Sequence, residues 1–166
     1  IEADLPARRP EPGHAPPAVV EALGLPGRAV RQAAVSRSAL LLELDSETRV
    51  AEVRPDFDAL RRADADKVIV TALATGEGDF VSRVFAPRVG VDEDAVTGSA
   101  HCLLGPYWAP RLERPELVGR QLSPRGGRVL VMVGGDRVIL GGTAVTVFRG
   151  AFAADSVHAG EPVLAR

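Results

Sequence analysis

One helix of useful length stands among many strands in this sequence, and that imbalance limits the folds open to it. Residues 98–112 set Cys102, Leu103, Tyr107 and Leu112 on an apolar side, with Ala100 and Gly105 as small surfaces. Pro106 lies inside this stretch and is expected to bend or interrupt it, because proline has no amide to donate. The apolar runs on either side are strand-sized. We predict strands over residues 30–35, 38–44, 48–53, 67–73 and 80–85 before the helix. Beyond it, residues 128–133 and 137–140 flank Gly134-Gly135-Asp136 as a hairpin, and further strands are predicted at 143–148 and 162–164. Two short helices complete the pattern. One covers residues 17–23 and is stopped by Gly24; the other covers 56–62, where Phe57 and Leu60 share a face. The regular strand–helix alternation of a doubly wound sheet is missing, so an α+β fold is expected.

Bulk properties exclude several classes. An apolar content of 46% with 25% charged residues is that of a globular domain, and 166 residues suffice for one core. A net charge of -2 with interspersed signs provides no basic stripe, so no nucleic-acid partner is expected. No apolar run approaches the roughly 20 residues that span a bilayer, and no signal peptide is visible, which gives the expectation of no membrane partner and a cytoplasmic location. Cys102 is the sole cysteine and has no intrachain partner. His14, His101 and His158 are scattered, so no metal is expected. Phosphate loops, dinucleotide fingerprints and nucleophile elbows are all missing, and no cofactor is expected.

Chemistry concentrates between Gly90 and His101. Acidic residues lead into a turn and then into the polar start of the helix. Thr97 or Ser99 can cap free amides there, and Gly98 leaves room for a ligand to approach. Those amides and the helix dipole suit a carboxylate or phosphate; a capped helix without a ligand fits the same residues. Asp94 is a candidate acid–base or orienting group, and it fits equally as an acidic residue stabilising a helix start. His101 is a candidate ligand donor or a packed histidine. Cys102 reads as a buried apolar residue rather than a nucleophile.

Several separated motifs together resemble the PhzF family of phenazine-biosynthesis isomerases. They are Phe80-Val81-Ser82-Arg83-Val84-Phe85-Ala86-Pro87, then Glu93-Asp94-Ala95-Val96-Thr97-Gly98-Ser99-Ala100-His101, then Pro106-Tyr107-Trp108, then Gln121-Leu122-Ser123-Pro124-Arg125-Gly126-Gly127 and Gly142-Thr143-Ala144-Val145-Thr146-Val147. The resemblance runs from the Pro-rich beginning to about Gly150. It implies a diaminopimelate epimerase-like fold, in which a curved, mostly antiparallel sheet surrounds a central helix and two such domains enclose the active site. It also implies that Asp94 faces the cleft as the catalytic group of this half, and that Thr97, Gly98, Ser99 and His101 bind substrate. The related epimerase carries a catalytic cysteine where this family has the aspartate, which argues against a nucleophilic Cys102.

The family reaction moves a proton within a dihydro-hydroxyanthranilate ring without a cofactor. The glutamate proposed to carry that proton lies in a first domain, and its sequence neighbourhood is absent here. The resemblance therefore implies the C-terminal half of a biosynthetic isomerase: residues 1–14 as an extended lead-in, 15–150 as the second domain, and 151–166 as a tail pairing with the missing first domain. The implied partners are a small carboxylate-bearing molecule, a missing N-terminal domain or companion chain, and a second copy in a homodimer. Little turnover is expected from this chain alone. The alternative is a non-catalytic small-molecule binding or structural module on the same fold. One departure is local: Ala95 stands where the family usually has proline, so the loop loses a fixed φ.

Overall fold

The computed structural model describes residues 1–37 and 39–151. Ten strands form one sheet: β1 (Glu2–Pro6), β2 (Glu11–Pro12), β3 (Val30–Ser36), β4 (Ala39–Leu44), β5 (Lys67–Leu73), β6 (Phe80–Ala86), β7 (Val91–Glu93), β8 (Glu116–Gln121), β9 (Gly127–Gly134) and β10 (Arg137–Gly141). Four helices accompany it: α1 (Pro17–Ala22), α2 (Glu47–Glu52), α3 (Phe57–Arg62) and α4 (Gly98–Leu112). The strand order is β1-β10-β9-β8-β6-β5-β4-β3-β2, with β7 added on β6. Among the described residues, only β4–β5 and β6–β8 are parallel; the second pair is connected through α4. The expected α+β class and the curved, mostly antiparallel sheet around a central helix are both present.

The curvature follows from chain length. β1 and β2 end the order on opposite sides, yet only residues 7–10 connect them. A flat sheet of nine such strands would be about 38 Å wide, whereas the connection from Pro6 to Glu11 reaches at most about 18 Å. The sheet must therefore curl until its edges approach. Within the first fourteen residues, β1 and β2 supply the two edges of this sheet.

α4 fills the concavity. Its Leu103, Leu104, Tyr107 and Trp108 pack on Leu41, Ile69, Phe80, Val84, Val131, Val138 and Leu140. The helix runs unbroken through Pro106, so the interruption expected there does not occur. Proline at 106 deprives the Cys102 carbonyl of its usual donor, and the Arg8 amide takes that place at 2.8 Å. The segment bridging the sheet edges thus repairs the helix.

The outer face of β4–β6 carries α1, α2 and α3. Val19, Val20, Val50 and Leu60 pack there on Leu40, Leu42, Leu44, Val68, Val70 and Phe85. β6, covered on both sides, is buried along its whole length.

Two expected strands need correction, and β8 needs adding. Residues 48–53, expected as a strand, lie mostly in α2. The Ser46 side chain accepts from the Arg49 amide at 3.2 Å and starts a helix, and Val50 and Val53, three apart, are the buried pair. β8 was not among the expected strands, since Gly119 and two charged residues mask its pattern. Residues 143–148 form no strand: they lie beyond β10 with no paired neighbour among the described residues. Ser38 and the expected strand at 162–164 lie outside the described residues, as does all but the first residue of the 151–166 tail.

Candidate active site at the start of the central helix

β6 and β7 deliver the loop that precedes α4. Arg83 of β6 donates from Nε to Glu93 Oε1 at 2.7 Å and from Nη2 to Glu93 Oε2 at 2.9 Å. Its Nη1 also donates to the carbonyl of Val53 at 2.8 Å. Only about a tenth of either side chain is exposed (10% and 12%), so this two-pronged pair fixes the chain directly before Asp94.

Gln121, at the end of β8, clamps the next residues. Its Oε1 accepts from the Thr97 amide at 2.9 Å, while its Nε2 donates to the Asp94 carbonyl at 2.7 Å and to Thr97 Oγ1 at 3.2 Å. Ser123 Oγ donates to the Ala95 carbonyl at 2.6 Å. These bonds supply the loop with the rigidity that Ala95 cannot provide through φ. Gly127 allows the close approach, since a Cβ there would lie 2.4 Å from Val96 Cγ2.

Each residue picked out from the sequence has a defined place. Asp94 is half-buried, and its Oδ2 accepts from Thr97 Oγ1 at 2.7 Å. Thr97 is buried at the N-cap position but does not cap; its hydroxyl is committed to Asp94. Gly98 is exposed and Ser99 half-buried, and among the described residues neither amide donates a hydrogen bond. His101 is fully buried. Its Nδ1 lies 2.9 Å from the Thr97 carbonyl, and its Nε2 has no partner among the described residues. Burial drives the His101 pKa down from its ordinary value, the bond to Thr97 opposing weakly, so the ring is neutral. The structure thus groups Asp94, Thr97, Gly98 and Ser99 on one surface and sets His101 behind them. Cys102 is buried, and that burial raises its pKa, so the thiol stays protonated.

One group went unrecognised in the sequence. Lys67, the first residue of β5, donates from Nζ to Ser99 Oγ at 2.6 Å. Burial lowers its pKa, the nearby charge of Arg8 lowers it further, and Asp94 pulls it back up. A signal was available: Lys67 is the chain's single lysine among twenty basic residues.

The arrangement opposes a carboxylate to two free amides, a hydroxyl and an ammonium group. It suits a bifunctional ligand with an anionic end over Gly98 and Ser99 and a polar hydrogen-bearing group at Asp94. No group of three or more His, Cys, Asp or Glu side chains converges among the described residues. No helix there is long and apolar enough to cross a membrane.

The chain is similar to several known proteins over most of its length. Two uncharacterized isomerases, of Halalkalibacterium halodurans and Pseudomonas aeruginosa, are 44% and 48% identical over 151 and 147 residues. These matches take in 90% and 89% of this chain but 56% and 55% of the relatives. A crystal structure of a phenazine biosynthesis protein of the PhzF family from Enterococcus faecalis superposes with a TM-score of 0.79 at 42% identity, covering 86% of this chain and 53% of that one. The chain therefore spans little more than half the length of these relatives. Residues 15–150 match the family of phenazine biosynthesis-like proteins, PhzC-PhzF, so the chain belongs to that family.

Proposed function

We propose that this chain is the C-terminal half of a cofactor-independent, cytoplasmic, biosynthetic isomerase that moves a proton within a small polar acid. Residues 1–14 lead into it, 15–150 form its second domain, and 151–166 reach toward the missing half. The observation carrying this reading is the pairing of Asp94 with the Gly98 and Ser99 amides beside Lys67. A substrate carboxylate rests on the amides and the Ser99 hydroxyl, with the Lys67 charge close by. Its amino or hydroxyl group, or the carbon that exchanges the proton, then meets Asp94. A proton leaves one substrate carbon and another carbon receives one, so atoms and oxidation state balance without an added reductant. Thr97 holds the Asp94 carboxylate in place, and His101 acts through the Thr97 carbonyl.

The second acid–base group belongs to the missing N-terminal domain or companion chain. Without it, donor and acceptor are never held together across a substrate. This explains how a chain with an ordered half-site would bind without turning over. We further propose that the whole protein is a homodimer.

The test uses 3-hydroxyanthranilate as the probe and NMR as the readout. Shifts at the Gly98 and Ser99 amides and at a 13C-methylated Lys67 are expected, weakened by Ser99→Ala and altered by Asp94→Asn. Shifts confined to another surface, unchanged by either substitution, defeat the reading. Robust isomerisation by the purified chain alone would defeat the half-site claim.

A further inference from the structure

Alternate residues of β5 face α4: Ile69 packs in the core beneath the helix, and Thr71 Oγ1 accepts from Trp108 Nε1 at 3.0 Å. Lys67 continues that row at the first position of the strand, which carries its side chain to the helix start. It is half-buried, and its Nζ donates to Ser99 Oγ at 2.6 Å. Among the described residues no carboxylate comes within ion-pair distance of this ammonium group. Arg8 brings a second positive charge. Its amide donates to the Cys102 carbonyl at 2.8 Å, one turn beyond Ser99 on the same side of α4, and its charge lowers the Lys67 pKa. The Asp94 carboxylate pulls that pKa back up, but its Oδ2 is engaged by the Thr97 hydroxyl at 2.7 Å.

An ammonium group has three donors and no acceptor, whereas a serine hydroxyl can do either. Beside Lys67 the Ser99 oxygen has to accept, so its own proton is turned away from the lysine. We propose that Lys67 is a positioning residue that sets the polarity of the substrate site: by holding Ser99 as a donor, it makes the site take a carboxylate and discriminate against a neutral carboxamide of the same shape. The inference rests on the reading of Asp94, Gly98 and Ser99 as the substrate site, and it adds the device by which that site selects for charge. The Gly98 and Ser99 amides and the Ser99 hydroxyl are then all donors. A carboxylate meets all three with acceptors, but a carboxamide opposes one of them with its own N–H. Charge acts in the same direction, because an anion there neutralises a half-buried ammonium that has no carboxylate of its own. A lysine that only pinned β5 to α4 would contribute stability and leave the two ligands indistinguishable.

The test titrates the 166-residue chain with 3-hydroxyanthranilate and, separately, with 3-hydroxyanthranilamide, following the Gly98 and Ser99 amides by NMR. The acid should bind at least about tenfold more tightly than the amide, the worth of one charge-assisted hydrogen bond. Lys67→Met should remove that preference while the amide still binds. Lys67→Arg, also donor-only, should keep it. Lys67→Glu accepts from Ser99 and turns its lone pairs outward, so the preference should reverse in favour of the amide. If Lys67→Glu fails to fold, the ratio in Lys67→Met against the unaltered chain still decides the matter. An acid-to-amide ratio that stays the same in Lys67→Met overturns the proposal and leaves the substrate site standing, as does equal binding of both ligands by the unaltered chain. Shifts at neither amide with either ligand overturn the site and the proposal together.

Discussion

Strands β3–β6 and strands β8–β10 with β1 share one sheet and one central helix, yet they face water differently. In the first group the outer residues Leu40, Leu42, Val68 and Val70 are covered by three short helices. In the second, Leu130 and Met132 stand open while their neighbours Val129 and Val131 are buried. A strand sealed on both sides tolerates a charge only if that charge is fully partnered, as Arg83 in β6 is by Glu93. A strand sealed on one side needs only alternation. The two halves should therefore respond very differently to substitution.

Arg83→Met should cause the largest loss, about 3–5 kcal/mol, because it strands the Glu93 carboxylate without its partner. Urea unfolding measures it, and the double variant with Glu93→Leu should recover part of the loss. Leu42→Ala, on the outer face of the covered half, should cost about 2–5 kcal/mol by leaving a cavity beneath the helices. Gly119→Ala probes the inner face of the other half. Its new Cβ would fall 2.6 Å from the Phe80 ring and 3.0 Å from His101 Nε2, so about 1–3 kcal/mol should be lost.

His101 sharpens the comparison through pH. Its pKa is lowered in the folded chain, so the unfolded chain binds the extra proton. Stability is thus retained above the ordinary value of 6.5 and lost as pH falls below it, by up to about 1.4 kcal/mol per pH unit. Thermal melts between neutral pH and mild acid should show this slope, and His101→Gln should flatten it. Leu130→Ala, on the exposed outer face, should change stability by no more than about 0.5 kcal/mol. A loss matching that of Leu42→Ala would erase the distinction between the halves.

Local patterns carried much of this fold. The α4 boundaries, β5 and the hairpin of β9 and β10 were readable because each satisfies its own periodicity. The errors arose where partners are remote. Residues 48–53 look β-branched and strand-like, but Ser46 caps a helix there and β5 is already paired on both sides. Residues 143–148 alternate like a strand, and alternation cannot provide a neighbouring edge. At the site, Asp94, Thr97, Gly98 and Ser99 were visible as one short run. Lys67 was not, because 32 residues separate it from Ser99 and only the parallel placement of β5 beside β4 carries it to the helix start.

The sequence by itself determined the family, the α+β class, the central helix and the polar loop at its start, since these depend on residues close along the chain. Tertiary structure alone decided the rest. It curled the sheet through a four-residue bridge, lent the Arg8 amide to a helix carrying Pro106, committed the Thr97 hydroxyl to Asp94, and buried His101 out of a ligand's reach. Each is a pairing between groups distant in the chain. A donor's sequence records that it can bond, and only the fold selects the acceptor.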